Sequence, residues 1–217
     1  MMYEYLFYDF DGTICDTSPG IYATLDDTFA HYGMSVDKSL YPRYIGPPLS
    51  DTFYSYFGDR DKAYEAVAYF RNAYVAGNIK LTRLYDGIKE SFARLSADGF
   101  KVCVATCKKE EEAVALLEGF GLSDYVHFVS GLKYKVRETK SEVLSHALET
   151  LCADKDRCVM IGDTDFDAEG ALQCGLDCVI CKWGFGDYDA INRPNVVFFA
   201  DTPEDAERFV RERAHLS

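Results

Sequence analysis

Hydrophobic and polar positions along this 217-residue chain follow two different rhythms. Residues 3–8, Tyr-Glu-Tyr-Leu-Phe-Tyr, form a short β-prone run that breaks at Asp9-Phe-Asp-Gly12. From about residue 85 onward, β-rich runs alternate with segments at helical spacing, the pattern of βαβ units and hence of an α/β chain with a parallel sheet. The spacing predicts a helix over 86–97, capped by Asp86, with Ile88, Phe92 and Leu95 on one face and Gly99 closing it. Strands follow at 101–106, 125–129, 157–161, 178–181 and 196–199, with helices at 110–120, 141–151, 167–174 and 203–213. Thr202 and Pro203 supply the start signals of the last helix.

Residues 16–82 differ. Ser18-Pro19 opens a helix to about Tyr32, and residues 61–76 form another, with Ala, Val, Tyr and Phe on the inner face. Between them, Tyr41-Pro-Arg-Tyr-Ile-Gly-Pro-Pro-Leu49 holds three prolines and a glycine, which predict a shaped loop. An all-helical insertion therefore separates the first strand from the rest of the sheet. No internal repeat or low-complexity segment is present.

Composition narrows the partners. Hydrophobic content of 48% and charged content of 27% are ordinary for a globular chain long enough to bury a real core. A formal net charge of −13 argues against a nucleic acid polymer or an anionic membrane, since both require a basic footprint. Met1–Tyr8 lacks the features of a signal peptide, and no apolar run approaches a bilayer span, so a cytoplasmic location is expected. The eight cysteines are dispersed, several within strand-like runs, as reduced buried thiols would be. Cys178-Val-Ile-Cys181 has the spacing of half a zinc site, but it reads as a buried strand with no second ligand pair nearby.

Candidate chemistry gathers at strand ends. Asp9 and Asp11, two apart, project to the same side of an extended chain, and Gly12 permits a tight turn around whatever they hold. Two neighbouring carboxylates are costly unless a cation lies between them or one keeps its proton. Thr106 closes the 101–106 run and places a hydroxyl and turn amides where phosphate oxygens can be gripped. Lys140 stands at a helix start after the next strand. The run Val159-Met-Ile-Gly-Asp-Thr-Asp-Phe-Asp167 sends an apolar strand into acids at 163, 165 and 167, a set suited to a hard cation. An acidic first helical turn explains one or two of these acids, not three directly behind a buried strand.

In this order the four sites resemble those of the haloacid dehalogenase superfamily of phosphohydrolases, over essentially the whole chain. Asp9-Phe-Asp-Gly-Thr13 is similar to its first motif, Thr106 to its second, Lys140 to its third and Gly162-Asp-Thr-Asp-Phe-Asp167 to its fourth. The helical insertion resembles the cap of the branch that contains phosphoglycolate phosphatase, pyrophosphatase and β-phosphoglucomutase. Ile45-Gly-Pro-Pro-Leu49 is most similar to phosphoglycolate phosphatase-like and 5'-nucleotidase-like members. The resemblance implies a doubly wound, Rossmann-like parallel-sheet core at 1–15 and 83–217, with an α-helical cap at 16–82 inserted after the first strand. It implies a Mg2+-dependent phosphatase, acting as a monomer on a small phosphorylated substrate. Asp9 is then the nucleophile that forms an aspartyl-phosphate, Asp11 the proton donor and acceptor, and Thr106 and Lys140 the groups that stabilise phosphoryl charge. Mg2+ falls to Asp9, the Asp11 carbonyl and Asp163, with Asp167 further out or acting through water. Candidate substrate contacts are Gly12, Thr13, Cys107, Lys108 and Arg43. Many relatives have Asn or Ser where this chain has Cys107, so a side-chain donor is missing there.

Other readings are separable. A dehalogenase releases halide, which needs no proton, so Asp11 favours phosphate chemistry. A phosphomutase shares the aspartyl-phosphate and differs only in the acceptor, and a pyrophosphatase differs in the ester. A phospho-receiver module is much shorter and lacks the insertion, whereas a phosphate-binding protein without turnover keeps the fold but releases no phosphate. For Phe53, Tyr54, Tyr56 and Phe57, core packing of the helical segment is the simpler expectation than substrate contact, as is a solvated charge for Arg43. Trp183-Gly-Phe-Gly186 reads as a glycine-rich turn with a packed Trp.

Overall fold

A computed structural model describes residues 3–214. In chain order the elements are β1 (Tyr5–Tyr8), β2 (Cys15–Asp16), α1 (Ser18–His31), α2 (Leu49–Phe57), α3 (Arg60–Ala76), β3 (Arg83–Leu84), α4 (Ile88–Ala97), β4 (Lys101–Lys109), α5 (Glu110–Phe120), β5 (Phe128–Leu132), α6 (Lys140–Leu151), β6 (Cys158–Gly162), α7 (Asp165–Cys174), β7 (Asp177–Cys181), β8 (Val196–Ala200) and α8 (Pro203–Ala214). The chain divides into two compact units, Cys15–Arg83 and the remainder, Met1–Ile14 with Leu84–Ser217. Among the described residues no helix is long and apolar enough to cross a membrane.

The larger unit is built on a six-stranded sheet in the order β5-β4-β1-β6-β7-β8, with every neighbouring pair parallel. Its central strands read as continuous apolar runs because both faces are covered, the usual condition of a parallel sheet. On one face, Phe7, Cys103, Ala105, Met160, Cys178 and Ile180 pack with Val143, Leu144 and Ala147 of α6 and Ala168 and Ala171 of α7. α4 and α8 pack against each other and onto strands of the sheet, with the Phe92 ring edge-on to Tyr8 at 4.8 Å. The winding runs outward from β1 in both directions, an α/β, doubly wound arrangement. The carboxyl ends of β1, β4 and β6 therefore lie side by side at the reversal of strand order, where such sheets bind ligands.

The smaller unit is helical. Phe29, Phe53, Phe70 and Tyr74 form its aromatic core, with the rings of Phe29 and Phe53 at 5.7 Å and those of Phe53 and Phe70 at 6.4 Å. Core packing thus accounts for Phe53, while Tyr54 lies exposed beneath the Arg60 guanidinium, 4.0 Å from its ring centroid.

Several element bounds differ from the sequence expectation. Asp86 does not cap α4: the N-cap is Gly87 at φ +85°, where an added Cβ would stand 2.8 Å from Glu204 Oε1. β5 begins at Phe128, not 125, because residues 123–125 form a 3-10 turn and pairing starts only when the His127 amide donates to Val102 O at 2.7 Å. β4 runs on to Lys109, across a register shift between Ala105 and Lys109. The helix α2 follows directly on the loop of three prolines. Pro48 is its N-cap, just before the first turn, whose free N–H groups a proline does not disrupt, and Gly58 ends the helix at φ +63°.

Candidate active site

Register brings the predicted residues together. Tyr8 pairs with Val104 on one side and Ile161 on the other, so Asp9 is level with Ala105 and Gly162. Thr106 and Asp163 then lie one residue further out. The Asp9 amide donates to Ile161 O at 2.9 Å, a last ladder bond before the chain turns at Gly12.

Asp9, Asp163 and Asp167 are buried, and each contributes a carboxylate oxygen to a cluster whose atoms all lie within 4.8 Å of one another. Lys140 enters this cluster from the first turn of α6. Its ammonium lies 2.7 Å from Asp9 Oδ1 and 2.8 Å from Asp167 Oδ1, and donates to Ala105 O at 3.0 Å. A capping box fixes that turn: the Glu142 amide donates to Thr139 Oγ1 at 3.2 Å, and the Thr139 amide donates to Glu142 Oε2 at 3.0 Å. The lysine stem passes over Gly170 of α7, where an added Cβ would stand 2.5 Å from Lys140 Cγ.

Each acid of the fourth motif has a different environment. Asp163 Oδ1 accepts from Thr13 Oγ1 at 3.1 Å, and its Oδ2 accepts from the Phe185 amide at 2.7 Å. Asp167 Oδ2 accepts from the Thr164 amide at 3.0 Å and the Thr164 hydroxyl at 2.8 Å, so both Asp167 oxygens are engaged within the protein. Asp165 turns away. Arg193 holds both its oxygens, at 2.8 and 2.7 Å, and keeps its carboxyl below the usual range. Of the three acids, the structure brings 163 and 167 together with Asp9 and leaves 165 apart. Asp165 faces out of the first turn of α7 while Asp167 faces in.

Asp11 stays outside the cluster, its Oδ1 accepting from Lys108 Nζ at 3.0 Å. Thr106 is buried, with its Oγ1 accepting from the Lys108 amide at 3.1 Å. Cys107 is half-buried beside them, and burial pushes its thiol up to about 11. Gly12, at φ +85°, lies against Asp163. Arg43 belongs to the helical unit and is exposed.

The electrostatics follow from three buried carboxylates facing one buried ammonium. Burial raises the Asp9 carboxyl to about 6, with Lys140 opposing and Asp167 adding to the rise. Asp163 is raised well above the usual range by burial and by Asp167 and Asp9. Lys140 has the opposite balance: burial works against its charge, but Asp167 and Asp9 outweigh it and hold the ammonium protonated. An all-oxygen donor set with excess negative charge suits a divalent hard cation. Asp9, Asp163 and Asp167 each offer one oxygen that could contribute to holding it, in competition with Lys140, Thr13, Thr164 and the Phe185 amide.

The sequence reading takes the loop after β7 as a glycine-rich turn with a packed Trp and gives it no role around Asp163. Trp183 Nε1 donates to Thr13 O at 3.1 Å, and Phe185 donates its amide to Asp163. An added Cβ at Gly184 would stand 2.3 Å from Asp163 Oδ2, and one at Gly186 would stand 2.0 Å from Asp163 O. The signal was present as two glycines spaced i, i+2 just beyond a strand end, but nothing local says which residue they enclose.

A family model of haloacid dehalogenase-like hydrolases matches residues 6–181. The chain belongs to this family. Among its relatives, the tyrosine-protein kinase PtkA of Mycobacterium tuberculosis is 33% identical over 192 residues, covering 88% of this chain and 66% of PtkA. The chain thus spans just under two thirds of that relative's length. A 5'-nucleotidase of Pseudomonas aeruginosa is 29% identical over 194 residues, covering 88% of both chains. Among solved structures, a predicted phosphatase from Clostridium acetobutylicum superposes with a TM-score of 0.92 at 29% identity, covering 98% of this chain and all of the other.

Proposed function

We propose that this chain is a Mg2+-dependent phosphatase that hydrolyses a small phosphate monoester through an aspartyl-phosphate on Asp9. The observation that carries the reading is the pairing of environments two residues apart: Asp9 buried with Lys140 and Asp163, and Asp11 held outside that cluster. This difference supports the reading in which Asp9 attacks phosphorus and Asp11 transfers protons. The names of the relatives, among them a 5'-nucleotidase and phosphoglycolate phosphatases, support the same reaction class.

In the first half-reaction an Asp9 oxygen attacks phosphorus as the ester P–O bond breaks, and Asp11 gives a proton to the departing oxygen. In the second, Asp11 takes a proton from the water that attacks the aspartyl-phosphate, which returns Asp9 as a carboxylate. Lys140 and the Thr106 hydroxyl stabilise charge on the phosphoryl oxygens, with the amides of Gly12 and Cys107 assisting. Asp9, the Asp11 carbonyl and Asp163 would hold Mg2+, whose charge would offset the repulsion between a carboxylate and an anionic ester. Asp167 acts on Lys140. Thr13 acts on Asp163 through its hydroxyl. The Cys15–Arg83 unit is read as the cap that selects the ester, with Arg43 as its candidate contact. The partner is a small phosphorylated molecule, and the enzyme a cytoplasmic monomer.

Phosphate release from p-nitrophenyl phosphate, phosphoglycolate, pyrophosphate, nucleoside monophosphates and sugar phosphates, with and without Mg2+, tests the reading. Release should require Mg2+ and fall by at least about 10³-fold in Asp9→Asn, as expected when a nucleophile is removed. Folded wild-type protein that releases phosphate from none of them sinks the phosphatase. The mutase reading then predicts turnover of a sugar phosphate with a bisphosphate activator.

A further inference from the structure

Lys108 was expected at the substrate, but its ammonium is bonded to Asp11. We propose that Lys108 is a positioning residue for Asp11: it holds one carboxylate oxygen so that the other is presented to the leaving-group oxygen. This rests on the reading of Asp11 as the proton donor.

Three observations meet at this side chain. Lys108 Nζ lies 3.0 Å from Asp11 Oδ1, with the lysine side chain only 5% exposed and the aspartate 20%. Lysine is almost never buried this deeply unless it is paired, so the bond defines where the ammonium sits. The lysine is also held at both ends: its amide donates to Thr106 Oγ1, and its ammonium stands 5.7 Å from the centroid of the Phe10 ring. Register explains why the two residues meet. β1 and β4 are neighbours with Tyr8 opposite Val104, so Asp11, three residues beyond Tyr8, and Lys108, four beyond Val104, lie at the carboxyl ends of adjacent strands.

An aspartate beyond a strand end otherwise rotates freely, and either oxygen can face the ester. The Lys108 bond makes the two inequivalent, with Oδ1 anchored and Oδ2 left for proton transfer. As the ester P–O bond breaks and the Asp9–phosphorus bond forms, the proton moves from Asp11 Oδ2 to the leaving oxygen. It is replaced when water attacks phosphorus, so the proton count closes over one turnover. Lys108 keeps its own proton throughout and forms no bond to substrate.

Leaving groups discriminate this role from substrate contact. kcat/KM is measured at saturating Mg2+ for monoesters whose leaving groups run from p-nitrophenol to a simple alkyl alcohol, in wild type, Asp11→Asn and Lys108→Met. Proton donation contributes about 10²–10⁴-fold where the leaving oxygen needs it, so Asp11→Asn should lose about that much on alkyl esters and far less on p-nitrophenyl phosphate. Lys108→Met should repeat the pattern on a smaller scale: about 10-fold in kcat on alkyl esters and under about threefold on p-nitrophenyl phosphate, with KM little changed. Lys108→Arg, which keeps a cation with displaced donors, is read by the same ratio and stands in if the Met variant does not fold. Equal loss on every leaving group, or a change confined to KM, overturns the proposal in favour of a substrate contact. Failure of the underlying reading is seen separately, as an Asp11→Asn variant with no leaving-group dependence, and takes the proposal with it.

Discussion

Gly184→Ala is the sharpest test of how the β7 loop sets Asp163. The added methyl would stand 2.3 Å from Asp163 Oδ2 and 2.4 Å from Gly12 O. Carbon needs about 3.5 Å, so roughly 1 Å must be found. Neither neighbour yields easily. Gly12 O belongs to the turn after β1, and the Asp163 carboxylate is held by Thr13 and the Phe185 amide. Overpacking of this kind costs about 1–3 kcal/mol. For a chain of this size that lowers Tm by about 2–12 °C. A shift of about 1 Å at a positioned group costs on the order of 10² in rate, so kcat/KM should fall about 100-fold while the protein still melts cooperatively. The assays are thermal denaturation by circular dichroism and phosphate release across a Mg2+ titration, where the midpoint should move to higher Mg2+. Gly119→Ala is the control: it lies in α5 with nothing within 4 Å of the added methyl, and should stabilise by about 0.5–1 kcal/mol. A Gly184→Ala enzyme with wild-type rate and Mg2+ dependence would show that the loop does not position Asp163.

Three further outcomes are expected. Glu207, buried on α8, accepts from Arg94 at 3.0, 3.2 and 2.6 Å and from Arg211 at 2.9 Å; burial raises its carboxyl, but these bonds outweigh it and leave it lowered. A lowered folded-state pKa means the contribution is full above about pH 4.5 and fades as pH falls through the folded value. Glu207→Gln should therefore cost about 1.5–3 kcal/mol at neutral pH, with the gap to wild type closing in acid melts. Asp165→Asn breaks only a part-exposed pair with Arg193, so it should change stability by less than about 1 kcal/mol and leave the Mg2+ midpoint where it was; a raised midpoint would return Asp165 to the metal site. Thr139→Ala removes the cap of the helix that carries Lys140. It should cost about 1 kcal/mol in chemical denaturation and lower kcat more than it raises KM, and an unchanged kcat would mean that Lys140 is placed without the cap.

The strands and most helices were legible because their cause is local. A run such as Val159–Ile161 is apolar throughout since a central parallel strand is covered on both faces, and Thr139 and Glu142 carry a capping box in four residues. Where the cause is distant, reading failed. Asp86 looked like a cap because its chemistry is right, yet Gly87 takes the position, close against Glu204 more than a hundred residues away. The start of β5 was misplaced because pairing with β4, not the apolar count, sets it. α2 was hidden by prolines that lie before its first turn, where they do no harm.

The same division runs through the site. The candidates Asp9, Asp11, Thr106, Lys140, Asp163 and Asp167 were nominated from sequence by their places at strand ends and a helix start, and the structure brings Asp9, Lys140, Asp163 and Asp167 into one cluster. Partnership could not be read that way. That Asp167 serves Lys140, that Arg193 withdraws Asp165, that Lys108 holds Asp11 and that Gly184 and Gly186 enclose Asp163 all depend on contacts between distant segments. Residue type and spacing decide what chemistry a position can offer; strand order and register decide which two positions stand within 3 Å of one another.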